Sequence, residues 1–499
     1  MSVDFSLLSF PRHRRLAACV LLLALAGCTV GPEFVKPTPI TPDDWTSWRA
    51  ADAVLRQPVN VESPIPTPWW TVFGDPLLNR LQERALRSSP DLQVAASRFA
   101  QARVQRTEVA AQQSPEIGLS GGVNRQRQSE YGSGTRMIDI LGHDRKSLAE
   151  ALSEPFTLYQ AGFDASWELD FWGRVRRSIE AADAETENQK ALLDLARTSL
   201  VSDVARSYFE LRTTQTQIRL MRQDIEALEN RLQLMEARVR GGVINHLDTE
   251  RQRIELAANK AKLPALLAQE GAGINQIALL LGEPGRAFRD ELGAPAPDSE
   301  ITFPDLALGL PSEVARRRPD IRAAEARLHR TTANIGVAQA DLYPSIRLGS
   351  RFGFESFLSG EFSNWGSRTW SIGPSLDLPL FDHGRRRSVV QLRELEQQEA
   401  AVNYQKTVLK AWQEIDDTLS AYVSDGLQRQ EHTARVSAAR QAYRLAQAHY
   451  DGGTTDFLPV LDAQRSYLQA RRDLTAIEGQ LATRYVAVNK VLASDTDAE

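Results

Sequence analysis

The sequence predicts a mainly α-helical protein with a small membrane-type β component, built from one unit used twice. Each unit runs helix, strand, strand, then a very long helix with one break. Three observations carry this: the chain repeats itself along its length, four segments alternate with the two-residue period of strands, and one stretch steps by three and four residues without a miss.

The repeat comes first. RSSPDLQVAASRF, containing Pro90, faces RRRPDIRAAEARL, containing Pro319, and SPEIGLSGG at 114–122 faces YPSIRLGSR at 343–351, a shift of 319 − 90 = 229. Further on, Gly173 in FWGRVRRS matches Gly384 in FDHGRRRS, and Gly241 matches Gly452, a shift of 384 − 173 = 211. The change falls between the two strands, so the first hairpin is longer by 229 − 211 = 18 residues. Residues 125–154 fill it; they are polar, with Gly132, Gly134 and Gly142, and are expected to face solvent.

The strands follow. Ile117, Leu119 and Val123 alternate with Gly118, Ser120 and Asn124; Phe163, Ala165, Trp167 and Leu169 alternate with Asp164, Ser166, Glu168 and Asp170. In the second unit Ile346, Leu348, Phe352 and Phe354 alternate with Arg347, Gly349, Arg351 and Gly353, and Trp370, Ile372, Leu376, Leu378 and Leu380 alternate with polar or small residues. One greasy face and one charged or small face over about ten residues is the mark of a transmembrane β-barrel strand. Strand by strand it also fits the edge of a soluble sandwich, but four strands beside so much helix argue against one.

The helices give the stronger signal. Ile218, Met221, Ile225, Leu228, Leu232, Met235 and Val239 form a coiled-coil seam, and the second unit keeps its phase at Val436, Ala439, Tyr443, Ala446 and Tyr450. A continuous helix from Gly173 to Arg240 is about 100 Å long at 1.5 Å per residue, so it needs other rods beside it. Gly241-Gly242 and Gly452-Gly453 end the rods. A second helix then returns through Ile254, Ala258 and Ala261, or through Ile477, Leu481, Tyr485, Val488 and Leu492.

The N-terminus is a targeting segment. Arg12, Arg14 and Arg15 precede an apolar stretch from Leu16 to Ala26, and Leu25-Ala26-Gly27-Cys28 has the form of a site cut before a lipid-accepting cysteine. Residues 1–27 are therefore expected as a signal peptide and Cys28 as the acylated first residue of the mature chain. Cys19 is the only other cysteine, so no disulfide or thiol chemistry is expected of the mature chain. Residues 28–68 carry eight prolines and read as an extended strap. The duplication then divides the rest into a first repeat at 69–285, a linker at 286–304 and a second repeat at 305–499.

Composition narrows the function. The net charge is −5, with charge spread evenly and no basic stripe, which argues against nucleic acid as a partner. The seven histidines show no metal-ligand spacing, and no phosphate loop or nucleophile elbow is present, so no enzyme, metal or cofactor is expected. Four membrane strands cannot close a barrel and open edges are not tolerated in lipid, so the chain is expected to be an oligomer; two copies would supply eight strands and three would supply twelve.

WWTVFGDPLLNRLQERAL at 69–86, the two PD-L/I segments, WELDFWGR at 167–174, PLFDHGRRRS at 379–388 and DGGTTDFLPVLDAQRSYLQA at 451–470 together resemble the TolC-type outer-membrane factors, specifically the NodT-like lipoprotein branch that serves drug efflux pumps of the resistance-nodulation-division type. The resemblance implies a homotrimer, with a twelve-stranded β-barrel in the outer membrane continued by a long α-helical barrel through the periplasm. It implies a passive exit duct that works with a periplasmic adaptor protein and an inner-membrane pump. In such lipoproteins Asp after the acylated cysteine favours retention at the inner membrane, so Thr29 implies the outer one. Phe171, Trp172 and Phe381 fall at the depth of an interfacial aromatic belt, or serve simple packing. By motif match Leu458, Asp462 and Arg465 would line a periplasmic gate, with Asp462 and Arg465 on one helix face and able to form a ring of ion pairs between chains. Pro459 stands where related ducts can carry a further carboxylate. Gly241, Gly242 and Val243, with Gly452, Gly453 and Thr454, would be the adaptor-docking tips. A duct for protein secretion and a pore-less, lipid-tethered periplasmic scaffold remain alternatives.

Overall fold

The computed structural model describes residues 29–46, 48–56, 68–132, 145–242, 245–294, 306, 308 and 310–493. The signal peptide and Cys28 lie outside them.

The described helices, in chain order, are α1 (Pro76–Ser88), α2 (Pro90–Ala111), α3 (Arg145–Leu152), α4 (Arg174–Arg240), α5 (His246–Leu281), α6 (Arg289–Leu292), α7 (Pro311–Arg317), α8 (Pro319–Ala340), α9 (Arg385–Asp451) and α10 (Leu458–Val491). The strands are β1 (Glu116–Gln126), β2 (Phe156–Glu168), β3 (Ser345–Ser356) and β4 (Arg368–Asp377). The duplication is visible in the lengths: α4 and α9 have 67 residues each.

Both rods start with the same device. Asp170 accepts the N–H groups of Val175 and Arg176, with Gly173 at φ 81° between; Asp382 accepts those of Gly384 and Arg386, with Gly384 at φ 83°. A carboxylate satisfies the open N–H groups of a first turn, and only glycine takes that positive φ without strain. α1 is capped likewise by Asp75 and opened by Pro76. α5 is capped by Asn245 and closed by Gly282 in the left-handed region.

The chain divides into two compact units that do not coincide with the two repeats, since each repeat contributes to both. The first holds the sheet, with segments 102–186 and 327–400. Its four strands pair antiparallel in the order β1-β2-β3-β4. The register puts Leu119, Phe163, Phe352 and Trp370 on one rung, and Ile117, Ala165, Ser350 and Ile372 on another of the same face. That face is exposed at Leu119, Phe163, Trp370, Ile372 and Leu376. The opposite face carries Gly118, Asp164, Arg351 and Ser371 on one rung. Ser120 Oγ donates to Asp164 at 2.6 Å, and Arg351 and Arg347 pair with Asp164 and Glu168 across the strands. Gly162 faces Gly353, and a Cβ on Gly353 would stand 2.5 Å from the Ala161 carbonyl oxygen. Among the described residues β1 and β4 each keep one edge unpaired.

The second unit holds the helical core. One cluster joins Trp69, Leu78 and Leu81 to Tyr208 and Leu211 of α4, Ile277 and Leu281 of α5, Phe288, Leu292, and Tyr485 of α10. Another joins Trp45, Val314 and Ile321 to Tyr404, Trp412 and Ile415 of α9 and Val488 of α10. Full burial of such side chains contributes about 1.5–3 kcal/mol each. The proline-rich strap is pinned to this core. Trp412 Nε1 donates to the Ile40 carbonyl. Arg49, its side chain wholly buried, donates to Asp416 Oδ1 at 2.9 Å.

Two expectations change. The long hairpin at 125–154 is not all open loop: β1 runs to Gln126, α3 lies near its far end, and Arg127 donates to the Ser153 carbonyl. Residues 133–144 fall outside the described set. The expected linker at 286–304 begins as packed structure, because Phe288 and Leu292 are buried in the core; only its later part, 295–304, lies outside the described residues. Burial of two large apolar side chains overrides the linker-like glycine and proline content that follows.

Candidate functional site

The long rods of both repeats end in short tips, and the residues expected for docking and gating lie at or just beyond them. At the first tip the Gly241 and Gly242 N–H groups close the last turn on the Ala237 and Val239 carbonyls. Gly242 has φ 71°. Val243 lies outside the described residues. At the second, Gly452 and Gly453 bond back to Ala448 and Tyr450, and Gly453 has φ 70°. Thr454 ties the turn down: its N–H and its hydroxyl both donate to the His449 carbonyl, and its Oγ1 lies 3.1 Å from His449 Nδ1. Gly241, Gly242, Gly452, Gly453 and Thr454 are all exposed, and a Cβ on Gly242 or Gly453 would meet nothing within 4 Å. Gly242 and Gly453 thus present exposed backbone with open space beside it.

Just beyond the second tip, α10 begins at Leu458 with Pro459 in its first turn. Phe457, Val460 and Leu461 point inward onto Met235 of α4, with Tyr443 and Tyr450 of α9 packed around them. This leaves Leu458, Asp462 and Arg465 on the exposed side of α10, as the three- and four-residue spacing requires. Leu458 is 40% exposed.

Arg465 does not pair with Asp462. Its Nε donates to Glu255 Oε2 of α5 at 2.6 Å, and the other Glu255 oxygen accepts from Asn259 Nδ2 at 2.9 Å. The Glu255 side chain is 13% exposed, so this ion pair is half sheltered. Asp462 holds no hydrogen bond or ion pair among the described residues. Within the chain, then, Arg465 is committed across to the first repeat, and Asp462 is left without an ion pair among the described residues.

Further ties between α4 and the second repeat lay beyond sequence reasoning. Arg231 reaches Tyr443 Oη at 2.5 Å, Gln447 Oε1 at 2.7 Å and Gln464 Oε1 at 3.2 Å. The Arg238 guanidinium lies 5.8 Å from the Tyr450 ring centre, within the range of a cation–π contact. Higher up, Asp224 is nearly buried between Arg471 and Arg472, at 3.3 and 3.5 Å. Burial holds its carboxyl above the ordinary carboxylate range, although the two arginines pull the other way. One signal did exist for Glu255: the second shift places Arg465 opposite 465 − 211 = 254, so neighbours of residue 254 lie at the depth of Arg465.

The aromatic residues separate. Trp172 donates its Nε1 to the Pro344 carbonyl and stacks on Tyr343 at 4.7 Å. Phe381 is exposed, with its ring 4.5 Å from that of His383. Among the described residues no group of acidic, histidine or cysteine side chains is placed to hold a metal ion.

The sequence matches the family described as outer membrane efflux protein over residues 81–283 and 310–494. It is 31% identical to the pyoverdine export outer membrane protein OpmQ of Pseudomonas putida over 99% of both chains. It is 32% identical to the outer membrane protein OprJ of Pseudomonas aeruginosa, over 90% of this chain and 89% of the other. The fold superimposes on the outer-membrane channel OprN with a TM-score of 0.83 and 31% identity, covering 94% of this chain and 99% of that one.

Proposed function

This chain belongs to the outer membrane efflux protein family, and from that premise we propose that it is the outer-membrane exit duct of a tripartite efflux system, a homotrimer that conducts small molecules passively from an inner-membrane pump to the outside. The observation that supports this most is the four-stranded sheet with one exposed apolar face and two unpaired edges. Such a sheet is stable in lipid only when its edges are joined to others. Three copies bring twelve strands, enough to enclose an aqueous channel rather than a filled core. A pore-less periplasmic scaffold has no use for that sheet.

The duct has two working parts in this reading. The lipid on Cys28 and the apolar sheet face hold it in the outer membrane, and the bare glycine tips receive a periplasmic adaptor. Near the tips, Leu458 and Asp462 line the constriction, and the Arg465–Glu255 pair holds α10 back against α5. Opening then means parting that pair, so closure rests on a contact weak enough for a docking partner to break. The conduit does no bond chemistry; it supplies a walled path, and selection among compounds rests with the pump.

The test is purification of the lipidated chain in detergent, with mass measurement and single-channel recording on the same sample. A three-chain mass with small resting conductance supports the proposal. A single-chain mass with no conductance at any voltage rejects it.

A further inference from the structure

The arginines of the sheet fall into two kinds, according to the face they occupy. On the polar face Arg347 and Arg351 each stand beside a carboxylate of the neighbouring strand, Glu168 at 3.8 Å and Asp164 at 3.7 Å. On the apolar face alternation puts Arg125 at the end of β1, beyond Ile117, Leu119 and Val123. It puts Arg368 at the start of β4, before Trp370, Ile372 and Leu376. Both are exposed, and neither has an acidic partner among the described residues.

Both lie at one end of the sheet. Residues 127–155 join β1 to β2 there and residues 357–367 join β3 to β4, while at the opposite end β2 and β4 lead into α4 and α9. With the rods in the periplasm, the arginine end faces outside. On β4 the apolar face runs from Trp370 to Leu380, 380 − 370 = 10 residues, at most about 33 Å at ~3.3 Å per residue. A run tilted near 40° then covers about 25 Å of height, the height of the apolar band of a membrane barrel. Arg368, the next residue on that face, falls where hydrocarbon gives way to headgroups.

The loop before Arg368 is fixed by its own bonds. Leu358 N–H donates to Ser356 Oγ at 3.0 Å, Gly366 N–H to Asn364 Oδ1 at 3.2 Å, and Ser367 Oγ to the Glu361 carbonyl at 2.8 Å. The Phe362 ring lies 6.4 Å from that of Phe354 and 6.5 Å from that of Tyr159, both on the apolar face. The loop so continues that face outward, and it displays Phe357, Leu358 and Trp365, all exposed. The Arg368 guanidinium lies 4.6 Å from the Trp365 ring centre, and its Nη1 donates to the Trp365 carbonyl at 2.8 Å. Stacking on an aromatic face holds a cation in place. A guanidinium has five N–H groups in its plane, of which this carbonyl takes one.

We propose that Arg368 on its Trp365 platform, and Arg125 at the other edge strand, bind phosphate groups of anionic lipid in the outward-facing leaflet. This rests on the reading of the apolar face as lipid-facing, and names the lipid it takes. A guanidinium grips phosphate through two parallel N–H bonds. The exposed Phe357, Leu358 and Trp365 beside it suit the boundary between acyl chains and headgroups. Arginines of the polar face are neutralised within the chain. Those at the lipid boundary are left to be neutralised from outside it.

The full lipidated chain, extracted in detergent as an oligomer, is mixed with bisphosphorylated lipid A and read by native mass spectrometry. The parent is expected to retain it in preference to phosphatidylcholine. Arg368→Gln and Arg125→Gln are each expected to lower retention about fivefold, the factor that one basic residue near an anionic membrane surface carries. Arg347→Gln, on the polar face, is expected to leave it unchanged. Arg368→Lys, which keeps the charge and loses the flat stack, is expected to fall between the parent and Arg368→Gln. Each variant is compared at the parent's oligomer mass and conductance. Unchanged retention in both glutamine variants overturns the proposal. So does equal retention of phosphatidylcholine, which would make the apolar face alone the binder. Displacement by millimolar inorganic phosphate also overturns it, since the site would then take a free anion. A parent that assembles and conducts but gives any of these results loses this site and keeps the duct. A parent that neither assembles nor conducts removes the duct reading, and the site with it.

Discussion

Replacing Arg465 by alanine should make the duct leak, and the size of the effect can be worked from the pair it breaks. Arg465 Nε stands 2.6 Å from Glu255 Oε2, with the arginine side chain 46% exposed and the glutamate 13%. A fully exposed pair contributes about 0.2–1 kcal/mol. A hydrogen bond to a charged group contributes about 1.5–3 kcal/mol when well sheltered. The half-exposed arginine places this pair near the lower boundary, at about 1 kcal/mol per chain. If three chains open together, the closed state loses about 3 kcal/mol, roughly a hundredfold in the opening equilibrium at 1.4 kcal/mol per tenfold. Single-channel recordings in planar bilayers read this directly as open probability. Glu255→Gln should show a similar rise, and the double variant should add little to either single one, because both remove the same contact. Open probabilities within threefold of the parent for both single variants would refute the latch.

Four further expectations follow from the same geometry. Asp462→Ala should alter the conductance of the resting duct and shift its reversal potential in a salt gradient toward anions, since among the described residues Asp462 is the charged side chain of α10's exposed face that holds no ion pair. Gly453→Trp should reduce export of a dye in cells several-fold while leaving the extracted oligomer's mass unchanged, because a Cβ there meets nothing within 4 Å and the strain of a non-glycine residue at φ 70° stays within the exposed tip. Gly353→Val should abolish the heat-modifiable band on gels, since its Cβ would be forced onto the Ala161 carbonyl, whereas Gly118→Val, with nothing within 4 Å, should assemble. Asp224 sets a pH dependence. Burial raises its folded pKa above the unfolded value, so the folded form binds the proton more tightly. Its contribution is therefore full below the ordinary carboxylate range and is lost as pH rises through the folded value. Asp224→Asn should flatten that slope, measured as the denaturant midpoint between pH 4 and 7.

Much of the architecture was legible because periodicity and duplication are properties of the chain alone. The rod expected from Gly173 to Arg240 runs Arg174–Arg240, and all four strands appear with the expected faces. The glycine tips were equally plain, because a glycine pair after an unbroken heptad run has few other uses. Contacts between rods were not legible. Arg465 has Asp462 as a neighbour by spacing, yet Glu255 of α5 takes it. Helix spacing says which residues share a face and nothing about what that face meets. Arg231 offers no local pattern either: its partners Tyr443, Gln447 and Gln464 lie more than 200 residues away. The burial of Phe288 and Leu292 was hidden for a related reason, since two apolar residues in a short run carry no period to read.

The equal length of the two rods restricts how such a chain can change. One residue deleted from α9 would turn everything beyond it by about 100° and pull it back by 1.5 Å, so Asp462 would swing off its face while α4 stayed put. Viable descendants must then gain or lose whole heptads, and must do so in both halves at once. The length of each rod is in that sense a quantised inheritance, adjustable only in matched steps of about 10 Å.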